Sequence, residues 1–353
     1  WGTNEIIIDS NGLNYQGEDD SYIVEYTTSG QSLNIVFSDS TKGWIPLDDD
    51  VAAFEPVAPP TQKGIIGYGG NGSGTSKANL VNSSGVIASD ISITGTDRDY
   101  LAATSYGGDK AAFAYGYNGP SNTALNVKNL VNNSGVVAAD VTGVGTARYG
   151  LAAASYGGDK GIYGYGNTTS VNKLSLTNLI SNSGVIATDV TGVGTSRRML
   201  AAARYGGDKA IFGYGIPGSG RTAITNLVNN SGVVASDTTG VGTARSSLAA
   251  AAYGGDKAIF GYGESTSASL ATTNKVSNSG VVASDTSGVG TVRYSLTATD
   301  FGGDKALFFG GVPGPTAISN LVSNTGVVAS DTAGASGVTG KHLMAGVGYS
   351  YSA

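Results

Sequence analysis

The sequence repeats itself, and that repetition limits its folding more than any other feature. Gly-Gly-Asp-Lys occurs at 107–110, 157–160, 206–209, 254–257 and 302–305. Its aspartates, Asp109, Asp159, Asp208, Asp256 and Asp304, lie 50, 49, 48 and 48 residues apart. A second landmark is the glycine of a Ser/Thr-Gly pair at Gly85, Gly135, Gly184, Gly232, Gly280 and Gly326. A third is the aspartate at Asp90, Asp140, Asp189, Asp237, Asp285 and Asp331. Six units of about 48 residues therefore fill residues 63–353. A chain built this way buries apolar surface by stacking one unit on the next.

Each unit carries four short apolar runs. Around Asp208 they are LAAARYG, KAIFGYG, TNLVNN and VVASDT. They are too short for helices, rich in Val, Ile, Leu, Ala and aromatics, and punctuated by Gly, Asn, Ser and Asp, as strands are. Gly-Gly-Asp-Lys is read as the hairpin turn between the first two runs, and Asn-Asn-Ser-Gly as the turn between the last two. The 56 glycines of the 353-residue chain suit so many turns. Four strands in this length is the period of a β-propeller blade. Residues 63–95 hold only the second, third and fourth runs, while His342–Tyr349 supplies a lone first run. The expectation is an all-β, six-bladed propeller with 3+1 strand closure. A β-solenoid is the rival, although its rungs are usually shorter.

The same residues resemble kelch repeats. Lys305–Gly311, KALFFGG, fits the kelch strand ending in Gly-Gly, and Gly-Tyr-Gly stands there in other units. The outer-strand Tyr and Trp of kelch blades are replaced by Val. The resemblance implies architecture and little about activity.

Charge divides the chain. Residues 1–60 hold 11 Asp/Glu against one Lys, whereas 61–353 hold 15 against 19 Lys/Arg, for a net charge of −6 overall. Two regions of opposite sign predict two domains. They are an acidic β module over 1–53 and the repeated domain over 63–353, joined by the Pro-rich linker 54–62, FEPVAPPTQ. Glu5–Leu47 resembles small all-β modules of tailed-phage fibre and appendage proteins. Its Asn34–Trp44 segment, NIVFSDSTKGW, matches their closing segment with Phe37 in place of Tyr. That resemblance implies a virion protein outside the cell, with other virion proteins as partners and a homotrimer formed through the N-terminal region. The chain opens on Trp1 with neither Met nor a signal-like segment, as expected of a fragment lacking its own N-terminus.

Several chemistries are disfavoured. With no Cys there is neither a disulfide nor a thiolate site. No apolar run approaches a membrane span, so no membrane insertion is expected. The weak, evenly spread positive charge does not predict nucleic acid binding. The one histidine, His342, opens the predicted closing strand and reads as structural. Repeated aspartates at equivalent places fit turns better than a glycosidase pair. Glu18–Asp20 and Asp48–Asp50 could supply oxygen ligands, but they lack the calcium-loop spacing and read as solvated loops. No catalytic residue, metal or cofactor is expected.

The cations are more informative. Arg98, Arg148, Arg197, Arg245, Arg293 and then Lys341 hold one equivalent position, on the connection between units. Either they form a cationic ring that binds ligand, or each clips two units together; repetition favours the clip. The same face carries the loops that differ most between units: GNGSGTSK, YNGPSNTALN, NTTSVNKLS, IPGSGRTA, ESTSASLAT and VPGPTA. Variable loops on a rigid frame are where recognition sits. Tyr117, Asn118, Asn122, Asn172 and Arg221 are the loop candidates for a glycan, which favours planar amides and an aromatic platform. The leading expectation is a non-enzymatic attachment protein that binds a host-surface glycan. The alternatives are a structural decoration or assembly part, a polysaccharide depolymerase, and a secreted adhesin.

Overall fold

The structure is a computed structural model and describes residues 6–19, 21, 24–26, 33–47, 62–70, 74–170 and 172–350. The chain divides into two compact units, Trp1–Pro59 and Pro60–Ala353. Residues 54–61 of the Pro-rich linker lie outside the described residues.

The first unit holds two small antiparallel pairs. β1 (Ile6–Ile8) pairs with β2 (Val24–Tyr26), and β3 (Ile35–Asp39) pairs with β4 (Gly43–Pro46). Asp39 fixes the turn of the second pair by accepting from the Thr41 and Lys42 amides at 2.8 and 2.7 Å. Tyr15 and Tyr26 are buried with their hydroxyls 2.6 Å apart.

The second unit is all β. Its strands are β5 (Lys63–Gly67), β6 (Lys77–Val81) and β7 (Ile91–Ser92), then β8 (Ala102–Tyr106), β9 (Lys110–Asn118) and β10 (Thr123–Val131). Next come β11 (Ala152–Tyr156), β12 (Lys160–Gly164), β13 (Thr177–Ile180), β14 (Ala201–Tyr205), β15 (Lys209–Gly213) and β16 (Thr225–Val228). The last are β17 (Ala249–Tyr253), β18 (Lys257–Gly261), β19 (Thr273–Val276), β20 (Thr297–Phe301), β21 (Lys305–Phe309), β22 (Ser319–Val322) and β23 (Ala345–Tyr349). Five repeats form three-stranded antiparallel sheets, and one sheet has four strands in the order β23-β5-β6-β7.

This corrects the expected architecture. The six-bladed, kelch-like propeller of four-stranded blades does not form, although the lone last strand β23 does pair with β5 of the first unit, as the split unit predicts. The sheets are small, separate and open, and none closes on itself. The physical reason lies in the fourth run. In the fourth unit it touches β16 only at two single bridges, Val228 with Val234 and Thr225 with Thr238. Three residues of the run face two of the strand between those bridges, so the run bulges. The buried Asn226 side chain fills the bulge, donating to the Ala235 carbonyl at 3.0 Å and to Asp237 Oδ1 at 2.9 Å. A side chain has taken over part of the ladder.

Each unit meets the next in the same way. In the first five units a tyrosine in or just after the second strand lies edge-on to an aromatic ring of the following unit, as Tyr214 does to Phe260 with centroids 5.1 Å apart. Gly213 makes room for that ring, since a Cβ there would fall 2.8 Å from it. The Gly-Gly-Asp-Lys turn makes the second link. Gly206, at φ 59°, donates its amide to the Asp256 carbonyl of the next turn at 2.6 Å. The sixth unit has no following turn and uses Gln62 instead. Gln62 accepts from the Gly302 amide through its carbonyl at 2.9 Å and from the Gly303 amide through its side chain at 2.8 Å.

Candidate functional site

The repeated cations are consumed inside the frame. Arg98, Arg148, Arg197, Arg245 and Arg293 are at most 1% exposed, and Lys341 is 2% exposed. Arg245 stacks on Tyr214 of the fourth unit at 4.2 Å. Its Nη2 donates to Asn274 of the fifth at 2.7 Å, and its Nη1 lies 3.9 Å from Asp285. The geometry is that of an inter-unit clip. At the joint between the sixth unit and the first, the stacking ring is missing because Gly310 stands where the other units have Tyr. There Lys341 replaces Arg, donating to Asn79 at 2.7 Å beside Asp90 at 3.4 Å. Guanidinium and ring are lost together, as expected if the guanidinium is there for its planar stacking face.

The aspartate of each clip is held charged. Burial alone would raise the Asp237 carboxyl, but hydrogen bonds from Thr195 and Asn226 and the Arg197 charge hold it below the usual carboxylate range.

Directly after each clip cation come two residues that break the repetition: Asp99-Tyr100, Tyr149-Gly150, Arg198-Met199, Ser246-Ser247, Tyr294-Ser295 and His342-Leu343. The second of each pair has left-handed backbone, with φ between 53° and 62°. Their amides and carbonyls bond in series. Gly150 donates to Tyr100, Met199 to Gly150, Ser247 to Met199, Ser295 to Ser247, Leu343 to Ser295 and Tyr100 to Leu343, at 2.7–3.0 Å. This brings six sequence-distant residues to one mouth, above a cavity of about 130 Å³ lined by Ala103, Ala153, Ala202, Ala250 and their neighbours. Small side chains on the first strand of every unit leave that space open. At the far end, Arg204 pairs with Asp300 at 3.4 Å, and Asp300 also accepts from Gln62 at 2.9 Å.

Tyr100, which lines the cavity, starts an aromatic row that leads away from it. Tyr149 lies between Tyr100 and Tyr117, with centroid separations of 5.8 and 4.9 Å. The Tyr100 hydroxyl is pushed up by burial first and then by the Asp99 carboxylate; Arg198 opposes this, and Tyr149 and Tyr294 add to it. All four groups thus act on one phenol. Asp99 is 9% exposed, its Oδ1 has no partner, and burial pushes its carboxyl up to about 6. The Nε of Arg198 and the Nδ1 of His342 are likewise buried without an acceptor or donor, and burial lowers the His342 pKa.

Of the loop candidates, Tyr117 reaches this cluster, and its hydroxyl bonds to Asn122 Oδ1. Asn118 is spent within its loop, donating to the Asp97 carbonyl at 2.8 Å and accepting from the Ser121 amide at 2.8 Å. Arg221 pairs with Glu264 at 2.7 Å and donates to Ser246 at 3.0 Å. Asn172 is exposed. Tyr100, Tyr149, Tyr294, Asp99 and Arg198 were missed. Their signal was present as the two variable positions between a repeated cation and a run that is Leu-Ala in four units, Leu-Thr in one and Met-Ala in one.

Among the described residues, no group of three or more His, Cys, Asp or Glu could hold a metal ion. Asp20 and Asp48–Asp50 lie outside them. Among the described residues no helix is long and apolar enough to cross a membrane. No family model matches the chain, and no curated protein matches it. The resemblances to kelch repeats and to phage fibre and appendage modules are therefore corrected: the short motifs behind them carry no family-level match.

Proposed function

We propose that the protein is a non-enzymatic binding module whose variable mouth and loops take a glycan. One observation carries this reading. The second residues of the six variable pairs line one cavity, and one of them, Tyr100, packs on Tyr149, which in turn packs on Tyr117, with Asp99 and Arg198 acting on the Tyr100 phenol. Aromatic faces hold the apolar side of a pyranose, and unpaired acceptors and donors hold its hydroxyls. The frame has no need of such variation.

Arraying the full chain against immobilised glycans tests it. Selective retention, weakened at least tenfold by Tyr149→Ala at unchanged melting temperature, supports the reading. Retention of no glycan overturns it.

A second reading, an assembly part, draws on Val86, Val136, Val185, Val233, Val281 and Val327, each 60–65% exposed at one equivalent outer position. They are isolated from one another by a whole unit, which weakens them as a docking patch.

A further inference from the structure

We infer that the mouth selects an acidic saccharide, with Arg198 taking the sugar carboxylate while Tyr149 and Tyr100 take the ring. This deepens the glycan reading and rests on it.

Arg198 is the second cation of Ser196-Arg197-Arg198-Met199, and no other unit has a cation directly after its clip. Arg197 is fully engaged: Nε donates to the Tyr214 carbonyl at 2.9 Å, Nη1 to Thr195 at 3.0 Å and Nη2 to Asn226 at 2.7 Å. A bare buried Nε is shared by the clip cations Arg98, Arg148, Arg245 and Arg293, but those donate through their Nη atoms or stack on a tyrosine, whereas Arg198 has no such partners among the described residues. A half-buried guanidinium in that state is costly, and a planar carboxylate arriving on it restores paired, charge-assisted hydrogen bonds.

Asp99 acts on the same Tyr100 phenol as Arg198 and offers the complementary atom, a buried Oδ1 with no donor. A ligand lying on Tyr149 therefore meets an acceptor and a donor. A neutral sugar satisfies Asp99 through a hydroxyl and leaves Arg198 unpaired. A bare anion pairs with Arg198 but brings like charge toward Asp99. A ring with both hydroxyls and a carboxylate satisfies both. Of the ring-binding residues Tyr100 lines the alanine-walled cavity, together with Met199 and Leu343, and these supply apolar contact for the ring's less polar face.

The test is a nuclear magnetic resonance titration of the full chain with methyl β-D-glucuronide, methyl β-D-glucoside and inorganic phosphate. The inference expects the glucuronide to bind at least tenfold tighter than the glucoside. Arg198→Gln should erase that preference, and Arg198→Lys should retain part of it. Equal affinity for both sugars, or a preference that survives Arg198→Gln, overturns the acidic-sugar inference and leaves the glycan reading standing. Phosphate binding as tightly as the glucuronide, with no loss in Tyr149→Ala, also overturns it. Failure of both sugars to bind removes the inference together with the reading it rests on.

Discussion

At the scale of single residues, the chain uses one chemical type in two ways. Arg197 and Arg198 are neighbours, yet one is locked into the frame and the other is left open at the mouth. Asp99 and Asp237 differ in the same sense, and their titrations separate them. Asp237 and its equivalents have depressed folded values, so their stabilisation is complete above the usual carboxylate value and is lost as pH falls below about 4. Asp99 has a raised value of about 6, so its ionisation destabilises the fold progressively as pH rises through about 4 to 6. Asp99→Asn should therefore melt higher than wild type above pH 6 and match it near pH 4, as read from melting temperatures across pH 3.5–8. A constant difference across that range would remove Asp99 as a buried, unpartnered carboxyl. At this scale the sequence was legible where residues repeat and opaque where they vary. The clip could be argued from five arginines at one position. The mouth could not, because its residues share no type and are gathered only by backbone hydrogen bonds between units.

At the scale of elements, the first three runs of each repeat behaved as their β-rich, Gly-punctuated pattern predicts. The fourth forms a strand only in the first unit, as the two-residue β7, and Asn226 shows why it does not elsewhere. Its pattern, VVASDT, reads as a strand, but a buried amide on the neighbouring strand captures a carbonyl and a carboxylate from it. Nothing in a single-run reading distinguishes an Asn that faces solvent from one that plugs a bulge. Asn226 also accepts from Arg197 at 2.7 Å, so one side chain fastens the fourth run and the clip together. Asn226→Ala should cost about 2–4 kcal/mol in denaturant unfolding, because it leaves a buried guanidinium and a carboxylate short of partners. A loss below about 1 kcal/mol would show that the run is held by its two bridges alone.

At the scale of the whole second unit, repetition builds a frame and its exceptions do the choosing. Six sheets meet through the same aromatic, turn and cation contacts, and Gln62, Lys341 and β23 adapt those contacts where the chain's ends meet. The repeat count and the variable-loop face were visible in the sequence. The number of strands per sheet and the residues of the mouth were not, since both depend on how side chains of one unit are used by the next. The central claim is that recognition is confined to one end of this frame. Hydrogen–deuterium exchange of the full chain, with and without a retained glycan, tests it most directly. The account predicts protection in peptides covering 98–101, 117–122, 148–151, 197–200 and 293–296, with none at the Gly-Gly-Asp-Lys turns. Protection at those turns, or spread evenly over all six units, would contradict it.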